Sequence, residues 1–472
     1  MYAIPRVPDD WKRLAFLHDA RAAGGRVFAV GGAIRDLVFG LRPAELDVVV
    51  GGIATDRLGV LLARTGSVSF VGKSFGVFKW TPPDGHTVDV AVPRRERSTG
   101  PGHRDFEVEM SPATPIEDDL ARRDFTINAV AVELPDGPGI DPHGGVRDAT
   151  ERVLRAVGAP ADRFREDPLR ILRGAGFVSR FGLAVEPGTR RAMAECAGLL
   201  PAVSPERIAT ELVKLLGRGV APSDGLRLLR DIGALVHVLP EFEPAVGFDQ
   251  CNPHHSMPLD EHTFAVVDGV AARGGGIEPR MAALFHDLGK PQTAALDLAA
   301  DGSAILRFHG HEQLSGRLAR AAGERLRLFA AEGFPRDGMD RVVALVNHHR
   351  LDVDEHSSDG ALRRLVSRVG GARVAHDLVT LWAADRAAHR DPFDDRRADA
   401  LRARLDTLGE VPLSQRDLAV SGADLEARFG VHGPALGALK NALLGRVVDG
   451  EIPNEREALM EAARKIAGRE VG

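Results

Sequence analysis

The periodicity of the apolar residues changes character once along the chain, near Gly158. Before it, short β-rich runs alternate with turns. These are Val27–Val30, Leu46–Val50, Phe75–Phe78, Thr87–Val92 and Ile127–Val132, with one helix, Ala33–Phe39, after the first run. After it, apolar residues recur at helical spacing. Pro168–Phe181 sets Leu169, Ile171, Leu172 and Phe177 among arginines, and Pro205–Leu216 repeats the pattern behind Ser204 as N-cap. A Pro- and Gly-rich connection, Pro240–Pro258, leads into a histidine-bearing helical region, and a polar break at Pro392–Arg396 precedes a charged helical tail. The fold expected is α+β: a small mixed unit over 20–150, then an all-α remainder divided at 151–240, 255–395 and 396–472.

Composition narrows the class. At 472 residues with 44% hydrophobic and 27% charged positions, the chain has enough apolar material for a packed core. No apolar run approaches the ~20 residues of a membrane span, and two cysteines give no disulfide framework, so a cytoplasmic enzyme without a membrane partner is expected. A net charge of −6 and 5% aromatics, with Tyr2 the single tyrosine, argue against a single-strand stacking platform. The region 151–220 runs the other way, with 12 Lys or Arg against 8 Asp or Glu. Such a basic strip suits the phosphates of a folded RNA, which needs few aromatics.

Four blocks before residue 175 carry chemistry. Gly31-Gly32 joins a strand to a helix containing Arg35, a joint where backbone N–H groups and the helix N-terminus favour phosphate. Glu45-Leu46-Asp47 puts two acids on one face if the segment is a strand, and Asp89 follows on another strand with the same alternation. Carboxylates so grouped repel unless a divalent cation sits between them, which points to metal-assisted phosphoryl transfer. Arg122-Arg123-Asp124-Phe125-Thr126-Ile127-Asn128-Ala129 is a charged turn entering an apolar run, where Arg123 suits a triphosphate and Asp124 suits orientation or a ribose hydroxyl. Downstream, Glu166-Asp167-Pro168-Leu169-Arg170-Ile171-Leu172-Arg173 spaces Asp167, Arg170 and Arg173 at i, i+3, i+6, one face if the block is one helix.

The order of these four blocks resembles the class II tRNA nucleotidyltransferase and poly(A) polymerase family. The resemblance implies a nucleotidyltransferase head related to polymerase beta, a neck that selects the incoming nucleotide, and a bacterial CCA-adding activity using CTP, ATP, Mg2+ and tRNA. It also implies residue roles. Glu45 and Asp47 would hold metal, with Asp89 as a further catalytic acid. Gly31, Gly32, Arg35, Arg123 and Asp124 would contact the nucleotide, and Asp167, Arg170 and Arg173 would read its base and triphosphate. An acid and an arginine can imitate a Watson–Crick edge, a discrimination of about 1–3 kcal/mol. Two departures stand out: the family's first metal acid is usually Asp, here Glu45, and its further arginine is replaced by Gly176.

A second constellation lies in the later helices. His262, His286-Asp287, His311 and Asp385 are candidate ligands, His348 or His349 is a further one, and His254-His255 are expected in a loop. Imidazoles with a bridging carboxylate suit a divalent metal. The pattern resembles an HD-type metal phosphohydrolase domain, which some bacterial CCA-adding enzymes carry. Lys290 is expected to touch a phosphate or to cap a helix C-terminus. Three functions remain open on these residues: CCA addition; a poly(A), CC-adding or A-adding product of the same chemistry; and an HD phosphohydrolase beside a degenerate head. Nothing in the sequence sets an oligomeric state.

Overall fold

The computed structural model describes residues 4–71, 76–83, 85–98, 106–252, 255–299 and 302–467. They fall into two compact units: Met1–Glu211 with Asp224–Val238, and Leu212–Ser223 with Leu239–Gly472.

Besides a short parallel pair, Val153–Leu154 with Ala184–Val185, the first unit has nine strands among the described residues. They are β1 (Arg26–Val30), β2 (Asp47–Gly51), β3 (Ser67–Val71), β4 (Val77–Thr81), β5 (Val88–Ala91), β6 (Arg94–Ser98), β7 (Phe106–Met110), β8 (Ala131–Leu134) and β9 (Gly139–Ile140). Seven form one mixed sheet in the order β3-β4-β5-β2-β1-β8-β9, and β6 and β7 pair as a separate ribbon. Within the large sheet only β2 and β5 run parallel. The central strands are apolar on both faces because both are covered. Val27, Ala29, Val48 and Val90 pack with Ile34, Leu58 and Leu62 from helices on one side. Phe28, Val30, Val49 and Ala131 pack with Ile116 and Leu120 on the other. A helix at Leu169–Phe181 follows, burying Leu169, Ile171, Leu172, Ala175 and Val178, and ends at Gly182 with φ +62°.

The expected run Ile127–Val132 is only half strand. Thr126–Asn128 is a single 3-10 turn, and β8 begins at Ala131. The Asn128 amide donates to Asp124 at 2.9 Å and its backbone N–H to the Phe125 carbonyl, also 2.9 Å, so local polar bonds hold the turn against extension. Phe75 of another expected strand lies outside the described residues.

The second unit packs Leu259–Ala272, Ile277–Phe285, His311–Leu326, Gly338–His348 and Ala372–Ala387 about one another. It is helical as expected apart from one antiparallel hairpin, Ala294–Leu298 with Ala304–Phe308. The tail helices Gly422–Phe429, Gly433–Val448 and Arg456–Ala467 share their own core around Leu425, Leu443 and Leu459. No helix of the described residues is long and apolar enough to cross a membrane.

Candidate functional site

In the first unit, β1 ends at Val30 directly opposite Asp47, and Asp47 is in turn the register partner of Asp89. The chain leaves β1 through Gly31, at φ +71° and ψ −130°. A Cβ there would also stand 2.4 Å from the Arg123 Nη1, so only glycine lets Arg123 approach the turn. Beside this turn opens a groove of about 410 Å3. Its lining gathers Gly32, Arg35, Asp47, Arg123 and Asp124 from the sheet region. Asp167 comes from the junction before the helix Leu169–Phe181, and Arg170 and Arg173 come from that helix.

Buried carboxylates aim the arginines. Asp119 is fully buried and accepts from Arg122 at 2.7 Å and from Arg123 at 3.2 Å. Arg123 lines the groove and keeps its buried Nε without a hydrogen-bond partner among the described residues. Asp124 accepts from the Phe125 N–H at 2.8 Å, the Asn128 amide at 2.9 Å and Arg173 at 2.7 Å. Burial alone would raise its carboxyl, but the charge of Arg173 and these hydrogen bonds win and hold it down at about 2. Arg35 is buried too, donating to Asp36 at 2.7 Å and Asn128 at 2.8 Å beneath the rings of Phe177 and Phe181. Its geometry is that of a strut for the turn more than of a free phosphate contact.

Two expectations need correcting. Glu45 is not on the strand: β2 starts at Asp47, Glu45 sits in the bend before it, and its side chain lines a neighbouring cavity. Asp167 does not share a helix with Arg170 and Arg173, because it lies extended between Pro160–Glu166 and Leu169–Phe181, at the Pro168 junction. Its Oδ1 accepts from the Leu169 N–H, and its Oδ2 is held by Arg207 at 2.7 Å. Arg170 is clamped by Glu166 at 2.9 Å and by the carbonyls of Arg163 and Arg122. Arg207, Arg122, Asn128 and Asp119 are site residues that the block-by-block reading missed.

The acids by the turn fit a cation. Crowding by protein pushes the Asp47 carboxyl up, Arg123 pulls it down, and Asp89 and Glu45 push it up again. Asp89 itself is met by Lys79 Nζ at 3.0 Å, a positive charge already drawn to this place.

The second unit holds a tighter cluster. His286, His311 and His349 each donate Nδ1 to the carbonyl three residues back, at 2.7, 2.6 and 2.8 Å. With Nδ1 so committed, Nε2 is the nitrogen left for a proton or a metal. Asp287 lies between two groups. Its Oδ2 is 3.0 Å from His286 Nε2 and 3.7 Å from His262 Nε2, and its Oδ1 is 3.2 Å from His311 Nε2 and 3.6 Å from His349 Nε2. Asp385 Oδ1 closes the first group, 3.0 Å from His262 Nε2. His262 Nδ1, His286 Nε2 and Asp287 Oδ1 are buried without hydrogen-bond partners among the described residues. Burial pushes His349 down to about 4 and lowers His262 as well, which keeps both rings neutral at pH 7. His286 goes the other way: burial opposes its charge, but Asp287 outweighs it and drives the ring up to about 10. A pocket that pulls positive charge this strongly, with donors this arranged, fits divalent metal.

His349, not His348, enters the cluster. His255 is in a loop as expected, yet its ring packs 5.0 Å from His262 and 4.5 Å from His389, while His254 lies outside the described residues. The Lys290 Nζ pairs with Asp287 at 2.7 Å and with Gln250 at 2.8 Å, on the lining of the cavity beside the cluster.

Three family models match separate stretches of the chain. A family model described as the poly A polymerase head domain matches residues 27–155, a probable RNA and SrmB-binding site of polymerase A matches 182–246, and an HD domain matches 259–388. The multifunctional CCA protein of Burkholderia pseudomallei (strain 668) is 34% identical over 436 residues, covering 89% of this chain and 99% of that protein. That of Azoarcus sp. (strain BH72) is 40% identical over 332 residues, covering 69% and 74%. Among solved structures, the Bacillus stearothermophilus CCA-adding enzyme in complex with CTP superposes with a TM-score of 0.69 at 25% identity, over 98% of this chain and 99% of that one. The Thermotoga maritima CCA-adding enzyme complexed with tRNA shares the fold, with a TM-score of 0.53 at 20% identity over 98% and 97%.

Proposed function

The chain belongs to the family of the multifunctional CCA proteins, and on that premise we propose that it is a template-independent tRNA nucleotidyltransferase adding C, C and A to tRNA 3′ ends from CTP and ATP. The observation that carries this is the convergence of the Gly31-Gly32 turn, Asp47, Arg123 and Asp167 on one groove. Arg123, aimed by Asp119 and with a donor to spare, binds the triphosphate beside the turn. Asp124 holds Arg173 in place from beneath. Asp167 and Arg207 offer an acceptor and donors to a base edge, so side chains do the work of a template. Asp47 and Asp89, with Glu45 nearby, would hold Mg2+. When bound, that cation supplies Lewis acidity for the attacking 3′-hydroxyl and the departing pyrophosphate. The basic region 151–220 gives tRNA phosphates their partners.

The test is direct. Purified protein is incubated with tRNA ending before CCA and labelled CTP or ATP. Incorporation of C, then A only after C, supports the reading. Incorporation that persists in Asp47→Asn would refute the metal assignment.

A second reading stands beside the first because one observation favours it: Asp287 lies between two ligand groups. We assign His262, His286, Asp287 and Asp385 to one divalent cation and Asp287, His311 and His349 to a second. Bound there, the metals supply a nucleophilic water for phosphate-ester hydrolysis. Lys290 holds Asp287 in orientation.

A further inference from the structure

The histidine cluster opens onto a cavity of about 550 Å3, a size that accommodates a nucleoside phosphate. One wall comes from the helix Ala372–Ala387 and the turn after it. Trp382, Asp385, Arg386 and His389 fall at i, i+3, i+4 and i+7, and all four line the cavity. One stripe therefore runs from the ligand Asp385 to an indole. Trp382 is half-buried, and Phe393 braces it in a T-shaped contact at 5.1 Å between ring centres. The chain's other two tryptophans, Trp11 and Trp80, are core residues of the first unit, 7% and 1% exposed. In a chain with so few aromatics, a braced indole on the wall of a polar cavity needs a reason. The arginines there differ as well. Arg307 pairs with Asp297, Arg350 with Glu312 at 3.2 Å and Arg397 with Glu355 at 2.8 Å. Arg386 meets only the His389 ring, at 3.2 Å, and has no carboxylate partner among the described residues.

We propose that Trp382 is the base-stacking platform of the phosphohydrolase centre and that Arg386, one turn further on, takes a phosphate oxygen. The centre then acts on nucleoside phosphates in preference to phosphates without a base. This rests on the phosphohydrolase reading above. The step is ester hydrolysis: a water oxygen bonds to phosphorus, the ester P–O bond breaks, and the leaving oxygen takes a proton from that water. Base stacking on an aromatic ring is sequence-tolerant and changes affinity roughly tenfold or more. The base arrives on a free nucleotide or at an RNA 3′ end, and the chemistry recognised is the same.

The test uses the full chain with Mg2+, Mn2+, Co2+ or Ni2+ added in turn. Substrates are adenosine 3′-phosphate, an RNA oligonucleotide ending in a 3′-phosphate, and glycerol 2-phosphate. Trp382→Leu should lower kcat/KM on the base-bearing substrates roughly tenfold or more, through KM, and leave glycerol 2-phosphate within about twofold. Trp382→Phe should recover most of the loss, which a folding defect would not. Whichever base-bearing substrate responds identifies the source of the base. Arg386→Gln should weaken all three. The emission assigned to Trp382, taken as wild type minus Trp382→Leu, should be quenched by adenosine 3′-phosphate and not by inorganic phosphate. Hydrolysis with an equal loss on all substrates, or without quenching, overturns the role of Trp382 while leaving the centre a phosphohydrolase. No hydrolysis of any substrate with any of the four cations overturns both.

Discussion

Replacing Asp124 with Asn isolates the electrostatics that shape the groove. Asp124 is 7% exposed, and its carboxyl stands at about 2 against 3.8 for the unperturbed group. The folded pKa is depressed, so the ionised carboxylate stabilises the fold above about pH 3.8, and that stabilisation fades as pH falls toward 2. At roughly 1.4 kcal/mol for each pH unit of depression, the stabilisation at pH 7 is about 2–3 kcal/mol, and roughly half of it remains at pH 3. Asn keeps the size and loses the charge that pairs with Arg173 at 2.7 Å. Urea unfolding followed by tryptophan emission in a Trp382→Leu background reports on the first unit, because the remaining Trp11 and Trp80 lie in its core. Asp124→Asn should lower stability by about 2–3 kcal/mol at pH 7 and by about half as much at pH 3. A penalty of the same size at both pH values would refute an electrostatic role for Asp124, and no penalty at pH 7 would refute the pairing itself.

Three further substitutions probe separate parts of the account. Gly31→Ala places a Cβ 2.4 Å from Arg123 Nη1 at φ +71°. It should cost about 1–3 kcal/mol and raise KM for the nucleotide, and a wild-type unfolding midpoint and KM would contradict it. Arg207→Ala releases the Asp167 carboxylate and should cut discrimination between CTP and UTP by roughly tenfold in single-turnover addition; an unchanged ratio would mean that Arg207 plays no part in base choice. His349→Ala removes a donor from only one side of Asp287, so elemental analysis after dialysis should find about two divalent ions per chain in the wild type and about one in the variant. Wild-type stoichiometry in the variant would rule out the second metal position.

Much of the site was legible because its parts are contiguous in the chain. Gly31-Gly32, residues 122–129 and residues 166–173 are each a local run, and folding then brings their side chains to one groove. What the sequence hid depends on long-range or local polar detail. Arg207 reaches Asp167 across 40 positions, and no spacing rule connects them. Glu45 and Asp47 share a face only in an extended segment, whereas the chain bends at Glu45 before β2. Asp167, Arg170 and Arg173 keep helical spacing, but Pro168 interrupts the helix and turns Asp167 toward Arg207. The histidines show the same limit. His286-Asp287 is a visible motif, but nothing in the adjacent pair His348-His349 tells which joins the cluster; the structure puts His349 there, its Nδ1 bonded to the Val346 carbonyl.

The central claim is that one groove selects C, then C, then A without a template and then stops. The measurement that tests it most directly is the sequence of the product's 3′ end after tRNA lacking CCA is incubated with the protein, Mg2+ and all four nucleoside triphosphates. The account predicts a tRNA ending in CCA with no further extension. A run of added A, a product ending in CC, or an unextended tRNA would contradict it.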